Sequence, residues 1–264
     1  MLWIALPLML VYLGLCGLMY ARQRDLMYYP ALTRVEQSQT DFALARDGLM
    51  LRGWVVNPGR ARALIYFGGN AESVELNRDN FARWFPQHTV YLLAYRGFGA
   101  SEGEPTEEGL VSDALALFDH AQLRHPGVGI DVIGRSLGSG VAGHLAAKRP
   151  VRRLVLVTPY DTMADVGQAH YRWLPVYWLA RDRYDSISNL SGYSGPVLVV
   201  RAGQDAVIPA ANTQRLIDSL PRTPQVLELP SADHGNVSLA PGYAETLAAF
   251  FAAPQSRPTR RKPR

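Results

Sequence analysis

The chain has 264 residues, 48% hydrophobic and 19% charged, a balance that excludes both a disordered chain and one embedded throughout in lipid. Its net charge of +4 sits at the C-terminus: Arg257, Arg260, Arg261, Lys262 and Arg264 all follow Ala253, and without them the chain carries −1, which argues against a basic face for nucleic acid. Cys16 is the single cysteine, so an intrachain disulfide and a cysteine-built zinc site are excluded.

From Met1 to Tyr20 no side chain is charged. As a helix this run covers about 30 Å, the thickness of a bilayer's hydrocarbon core. Trp3 at one end, and Tyr20, Tyr28 and Tyr29 at the other, occupy places where interfacial aromatics gather. A cleaved signal peptide wants basic residues before the run and small ones at the cleavage site. Here no charged side chain precedes the run, and Tyr20-Ala21-Arg22-Gln23 is a poor site. In the lipoprotein-like Leu13-Gly14-Leu15-Cys16, Leu15 stands where a small residue is wanted. Residues 1–21 are therefore expected to form an uncleaved transmembrane anchor. Arg22, Arg24 and Arg34 follow the run and none precedes it, so the positive-inside rule puts the body on the cytoplasmic side. The basic tail 254–264 either lies against anionic lipid there or is a solvated, disordered end.

After the anchor, short apolar runs alternate with longer amphipathic segments. Strands are predicted at 51–56, 63–67, 90–94, 130–134, 154–157, 197–201 and 226–229. Helices are predicted at 71–85, 106–122, 137–148, 210–220 and 243–251. Thr106 can cap the second of these, with Glu107 and Glu108 where the helix dipole favours carboxylates. Strand–helix alternation implies parallel βαβ units, hence an α/β fold with a mostly parallel sheet covered on both faces. One domain over 40–253 accommodates all of it. Residues 167–195 break the alternation and hold Tyr171, Trp173, Tyr177, Trp178 and Tyr184. This cap-like insertion is expected either to line an apolar pocket or to pack its aromatics onto the body.

Gly134-Arg135-Ser136-Leu137-Gly138 is a G-x-S-x-G sequence, and its position between a predicted strand and a predicted helix gives it weight. Such a turn exposes Ser136 at a helix N-terminus, where free N–H groups favour developing negative charge. Gly140 and Gly143 are expected to let that helix pack closely on the sheet. A serine hydroxyl needs a base, and the base needs an orienting acid. Of His88, His120, His125, His144, His170 and His234, only His234 lies in a polar loop between a strand and the last helix. Asp205 lies in the loop after strand 197–201, and the order Ser136, Asp205, His234 suits this chemistry. Asp161, at another strand end, and Asp233, beside the histidine, remain rival acids, although Asp233 suits turn capping. Oxyanion donors are expected from the backbone N–H groups of Leu137 and of Asn70, the latter following Phe67-Gly68-Gly69.

At these residues the chain resembles the α/β-hydrolases over nearly the whole body. More narrowly it is similar to the membrane-anchored subgroup of bud-emergence-like proteins and protein-depalmitoylating thioesterases. The carrying segments are Tyr66-Phe67-Gly68-Gly69-Asn70-Ala71-Glu72, Tyr95-Arg96-Gly97-Phe98-Gly99-Ala100-Ser101-Glu102-Gly103, the G-x-S-x-G run, Gly203-Gln204-Asp205 and Arg181-Asp182-Arg183-Tyr184-Asp185-Ser186. Many relatives have a histidine where this chain has Gly68. The resemblance implies Ser136 as nucleophile, Asp205 as acid and His234 as base. The expected activity is hydrolysis of an acyl ester or thioester. A peptidase and a catalytically silent binding protein on the same fold are the alternatives. No metal or organic cofactor is expected, and the expected partners are a small or lipid-like acyl substrate and the membrane, not nucleic acid.

Overall fold

Twenty-six residues, Leu2–Met27, wind into one helix, α1. In the computed structural model residues 2–253 are described, with side chains from Ala5 onward; the Trp3 side chain and the basic tail 254–264 lie outside the described residues. Ala5–Thr33 contains a helix long and apolar enough to cross a membrane, and very little of it is buried. α1 is thus a candidate membrane span.

Two short turns lead into a hairpin of β1 (Phe42–Arg46) and β2 (Leu49–Val56). Its two-residue turn, Asp47-Gly48, has positive φ at both positions (51° and 76°), the conformation that suits the twist of paired strands. The sequence reading omitted β1, an edge strand of five residues, and began β2 two residues late. Beyond the hairpin come β3 (Arg62–Phe67), α2 (Arg78–Trp84), β4 (His88–Leu93) and α3 (Glu107–Arg124). Then follow β5 (Ile130–Arg135), α4 (Leu137–Lys148) and β6 (Arg153–Val157). Three short helices make the insertion: α5 (Met163–His170), α6 (Val176–Leu179) and α7 (Ser186–Leu190). The chain continues through β7 (Val197–Ala202), α8 (Ala210–Ser219), β8 (Gln225–Leu229) and α9 (Tyr243–Ala252).

The eight strands form one sheet in the order β1-β2-β4-β3-β5-β6-β7-β8. β2 runs antiparallel to β1 and β4, and every other pairing is parallel. Helices cover both faces, with α2 packing on α9 and α3 on α4. The central strands are buried on both sides: Leu64, Ile65, Val132, Ile133 and Leu154 to Val157 have no exposed surface. Each such side chain contributes about 1.5–3 kcal/mol. Thr106 caps α3 as expected, its Oγ1 accepting from the Gly109 N–H at 2.9 Å.

The helix expected at 71–85 is only half formed. Ala71 has φ of 57°, Val74–Asn77 is a 3-10 turn, and α helix starts at Arg78. The cause is Glu72, whose carboxylate accepts from Gly69 N–H (2.5 Å), Tyr66 Oη (2.6 Å) and Asn77 Nδ2 (2.8 Å). Those bonds hold a loop where propensity favours a helix turn. A second correction concerns Gly140 and Gly143, which face the insertion, not the sheet. A Cβ on Gly140 would collide with Tyr160 and Tyr184, and one on Gly143 would touch Leu190.

Candidate active site

Ser136 ends the strand-to-helix turn between β5 and α4 with φ 50° and ψ −119°, a region that side-chain-bearing residues rarely enter. The flanking glycines permit it. A Cβ on Gly138 would run into the carbonyl oxygens of Phe67 and Gly68, and one on Gly134 into the Gly138 carbonyl. α4 therefore starts closer to β3 than any other residue type would allow. The Ser136 N–H is held by the Val157 carbonyl at 2.9 Å, so β6 fixes the turn as well.

The loops after β7 and β8 bring Asp205 and His234 to this serine. His234 Nε2 lies 2.9 Å from Ser136 Oγ, and His234 Nδ1 lies 2.8 Å from Asp205 Oδ2. The other Asp205 oxygen, Oδ1, accepts from the N–H groups of Val207 (2.9 Å) and Ile208 (2.8 Å). Burial alone would push the Asp205 carboxyl up. The hydrogen bonds from His234, Ile208 and Val207 outweigh it and hold the group below its ordinary value.

The rival acids are engaged elsewhere. Asp161 is fully buried and takes Arg215 Nε at 2.6 Å and Asn212 Nδ2 at 2.7 Å, both from α8. Asp233 Oδ1 accepts from Gly235 N–H and Asn236 N–H, each at 2.8 Å, and so shapes the turn that carries His234. The other histidines have structural surroundings. His120 packs edge-on to Phe42, His125 meets Tyr91 Oη and His88 lies against Asp131. Burial pushes both His120 and His125 below the usual histidine value. His144 sits 3.2 Å from Glu107, and His170 Nε2 lies 2.8 Å from the Val207 carbonyl.

The 68–70 loop passes beside the serine: a Cβ on Gly69 would stand 3.5 Å from that of Ser136. Among the described residues, the backbone N–H groups of Asn70 and Leu137 have no acceptor. The Asn70 side chain is used differently, binding the end of α1 through the Met27 carbonyl (2.5 Å) and the Tyr29 N–H (3.2 Å).

Two residues of the site had no role in the sequence reading. Arg135 Nη1 pairs with Glu72 Oε2 at 3.1 Å, and Arg135 Nη2 donates to the carbonyls of His234 (3.0 Å) and Gly235 (3.2 Å). Burial alone would weaken the Arg135 charge, but Glu72 beside it reverses the effect and holds the guanidinium protonated. One cation thus ties the Gly69 loop, the serine turn and the histidine loop together. The available signal was the pairing of a charge inside G-x-S-x-G with Glu72 three residues past Gly69. Among the described residues no group of three or more His, Cys, Asp or Glu side chains is placed to hold a metal ion.

The chain belongs to the family defined by the alpha/beta hydrolase fold, whose sequence profile matches residues 62–192. It is 32% identical to the uncharacterized protein Rv2307c of Mycobacterium tuberculosis over 246 residues, covering 88% of each chain. It is 34% identical over 147 residues to the lysophosphatidylserine lipase ABHD12 of Danio rerio, covering 49% of this chain and 38% of that one. The esterase Pf2001 of Pyrococcus furiosus superposes with a TM-score of 0.63 at 16% identity, covering 85% of this chain and 92% of that one.

Proposed function

We propose that this protein is a membrane-anchored serine hydrolase that cleaves an acyl ester or thioester. The observation that carries this reading is His234, hydrogen-bonded on one ring nitrogen to Ser136 Oγ and on the other to Asp205. His234 Nε2 takes the hydroxyl proton as Ser136 Oγ attacks the acyl carbonyl. The new C–O bond leaves a negative oxygen, which the N–H groups of Leu137 and Asn70 receive. Collapse breaks the bond to the alcohol or thiol, which departs with the proton from His234. Water then attacks the acyl-serine, gives its proton to His234, and frees the acid and the serine. Asp205 stays ionised throughout and fixes the ring's tautomer.

In this reading residues 40–253 form one hydrolase domain, residues 1–21 hold it at the membrane, and the three arginines after the apolar run keep the domain on the cytoplasmic side. The uncharged run and its exposed helix support the anchor. The test is labelling with a fluorophosphonate of wild type and Ser136→Ala. Labelling of wild type alone is expected, followed by turnover of p-nitrophenyl esters. Equal labelling of both, or none of a folded wild type, overturns the reading.

A further inference from the structure

From Tyr12 onward α1 does not stand clear of the rest of the chain. Tyr12 Oη donates to the Trp173 carbonyl (2.9 Å), and Gln23 Nε2 to the Leu179 carbonyl (3.1 Å). Gln23 Oε1 accepts from the Arg181 N–H (2.7 Å), and Arg24 binds both oxygens of Asp182 (2.9 and 3.0 Å). The eleven-residue step from Tyr12 to Gln23 corresponds to about 16 Å of helix. The insertion runs beside α1 over that whole length.

Between the two lies a cavity of about 560 Å³, within the size range of small-molecule sites. Met19, Leu26 and Met27 line it from α1, and Met163, Leu174 and Leu179 from the insertion. Ser136 and His234 are not among its lining residues, but two of the lining residues are hydrogen-bonded to residues of the site. The Met27 carbonyl accepts from the Asn70 side chain, and Val207, another lining residue, donates its N–H to Asp205.

The outer edge of the insertion is aromatic and open. Trp178 is 87% exposed and Trp173 57%, with Tyr171 and Tyr177 beside them. No acidic residue occurs from Gly167 to Arg181. Tyr12, to which Trp173 is bonded, lies inside the uncharged run, so the aromatic edge stands level with the apolar part of α1.

We propose that this cavity holds the long hydrocarbon chain of a bilayer-resident acyl substrate, loaded from the membrane along α1, so that the anchor is itself a wall of the substrate site. The proposal rests on Ser136 being the nucleophile. A hexadecyl fluorophosphonate with a diazirine near the chain end, added to the full chain in phosphatidylcholine nanodiscs, tests both separately. Modification of Ser136 with photo-insertion into residues 19–27 or 163–180 is expected. Modification of Ser136 with insertion only elsewhere or into phospholipid overturns the cavity, whereas absence of modification overturns the nucleophile and the cavity with it. Ala180→Phe, which adds bulk to the insertion's wall, should lower the ratio of hexadecyl to ethyl probe reactivity about tenfold; an unchanged ratio overturns the proposal. Competition by a vesicle-borne monoacyl phospholipid or by an S-palmitoyl peptide tells which class presents the chain. Protection of Ser136 by either supports the proposal, and protection by neither overturns it.

Discussion

Arg135 and Glu72, 3.1 Å apart, join the serine turn to the Gly69 loop. Glu72 also holds the Gly69 N–H, and Arg135 also holds the His234 carbonyl. The pair has no proposed contact with substrate, so it acts by positioning. Glu72→Gln should lower kcat by about 100-fold, the scale of an ångström's misplacement. KM for a short ester should change little, as steady-state kinetics on p-nitrophenyl acetate will show. A loss confined to KM would exclude a positioning role.

The two aspartates in the loops after β6 and β7, Asp161 and Asp205, should separate cleanly. Asp205→Asn is expected to cut kcat by about 10⁴-fold through loss of the histidine tautomer, with the fold retained. Asp161→Ala instead strands the α8 groups it binds, Asn212 and Arg215. It should cost about 1–3 kcal/mol of stability while the folded fraction keeps its turnover. Thermal melts and initial rates on the same preparations distinguish the two.

Asp205 also fixes the sign of one pH effect. Its folded-state pKa lies below the ordinary aspartate value of 3.8. Its contribution to stability is therefore fully present above the unfolded value and is lost as pH falls through the lowered folded one. Asp205→Asn should narrow the stability difference between pH 7 and acid, measured as the difference in urea midpoint against wild type. A variant whose midpoint falls with acid as steeply as wild type would remove Asp205 from the pH response.

Asp182 ties α1 to the insertion through Arg24 and accepts from Tyr28 Oη at 3.2 Å. Asp182 is buried, so Asp182→Ala leaves the Arg24 charge without its partner. Arg24 keeps about a third of its side chain in water, so the loss should be about 1–3 kcal/mol, read from the melting temperature. An unaltered melt would show that the contact of α1 with the insertion adds nothing to the fold.

The parts of the molecule that one sequence made legible were those governed by local rules. Apolar runs gave the central strands, Thr106 its cap, and the strand–turn–helix context the place of Ser136. His234 and Asp205, which the structure brings to Ser136, stand out in the sequence because loops at strand ends hold few titratable residues. β1 went unread because a short edge strand buries one face only, although its Asp47-Gly48 turn was visible. The region 71–77 was misread because the bonds to Glu72 override helix propensity. Gly140 and Gly143 were assigned to the sheet because nothing local says which neighbour a helix face meets. Tyr184, expected to line a pocket or pack, is fully buried and bonded to Tyr28 at 2.8 Å, while Trp173 and Trp178 do neither and face outward.

The backbone at Ser136 has a thermodynamic side. Its φ of 50° with ψ of −119° is a conformation that costs about 1–3 kcal/mol for any residue but glycine. The surrounding sheet and α4 must supply that energy in every folded molecule, occupied or not. Ser136→Ala keeps the cost, whereas Ser136→Gly removes it and should melt at a higher temperature than either Ser136→Ala or wild type, even after the flexibility that glycine adds to the unfolded chain. The protein would then be sturdiest in the form that has lost its hydroxyl, and resistance to heat would trade directly against turnover at this one position.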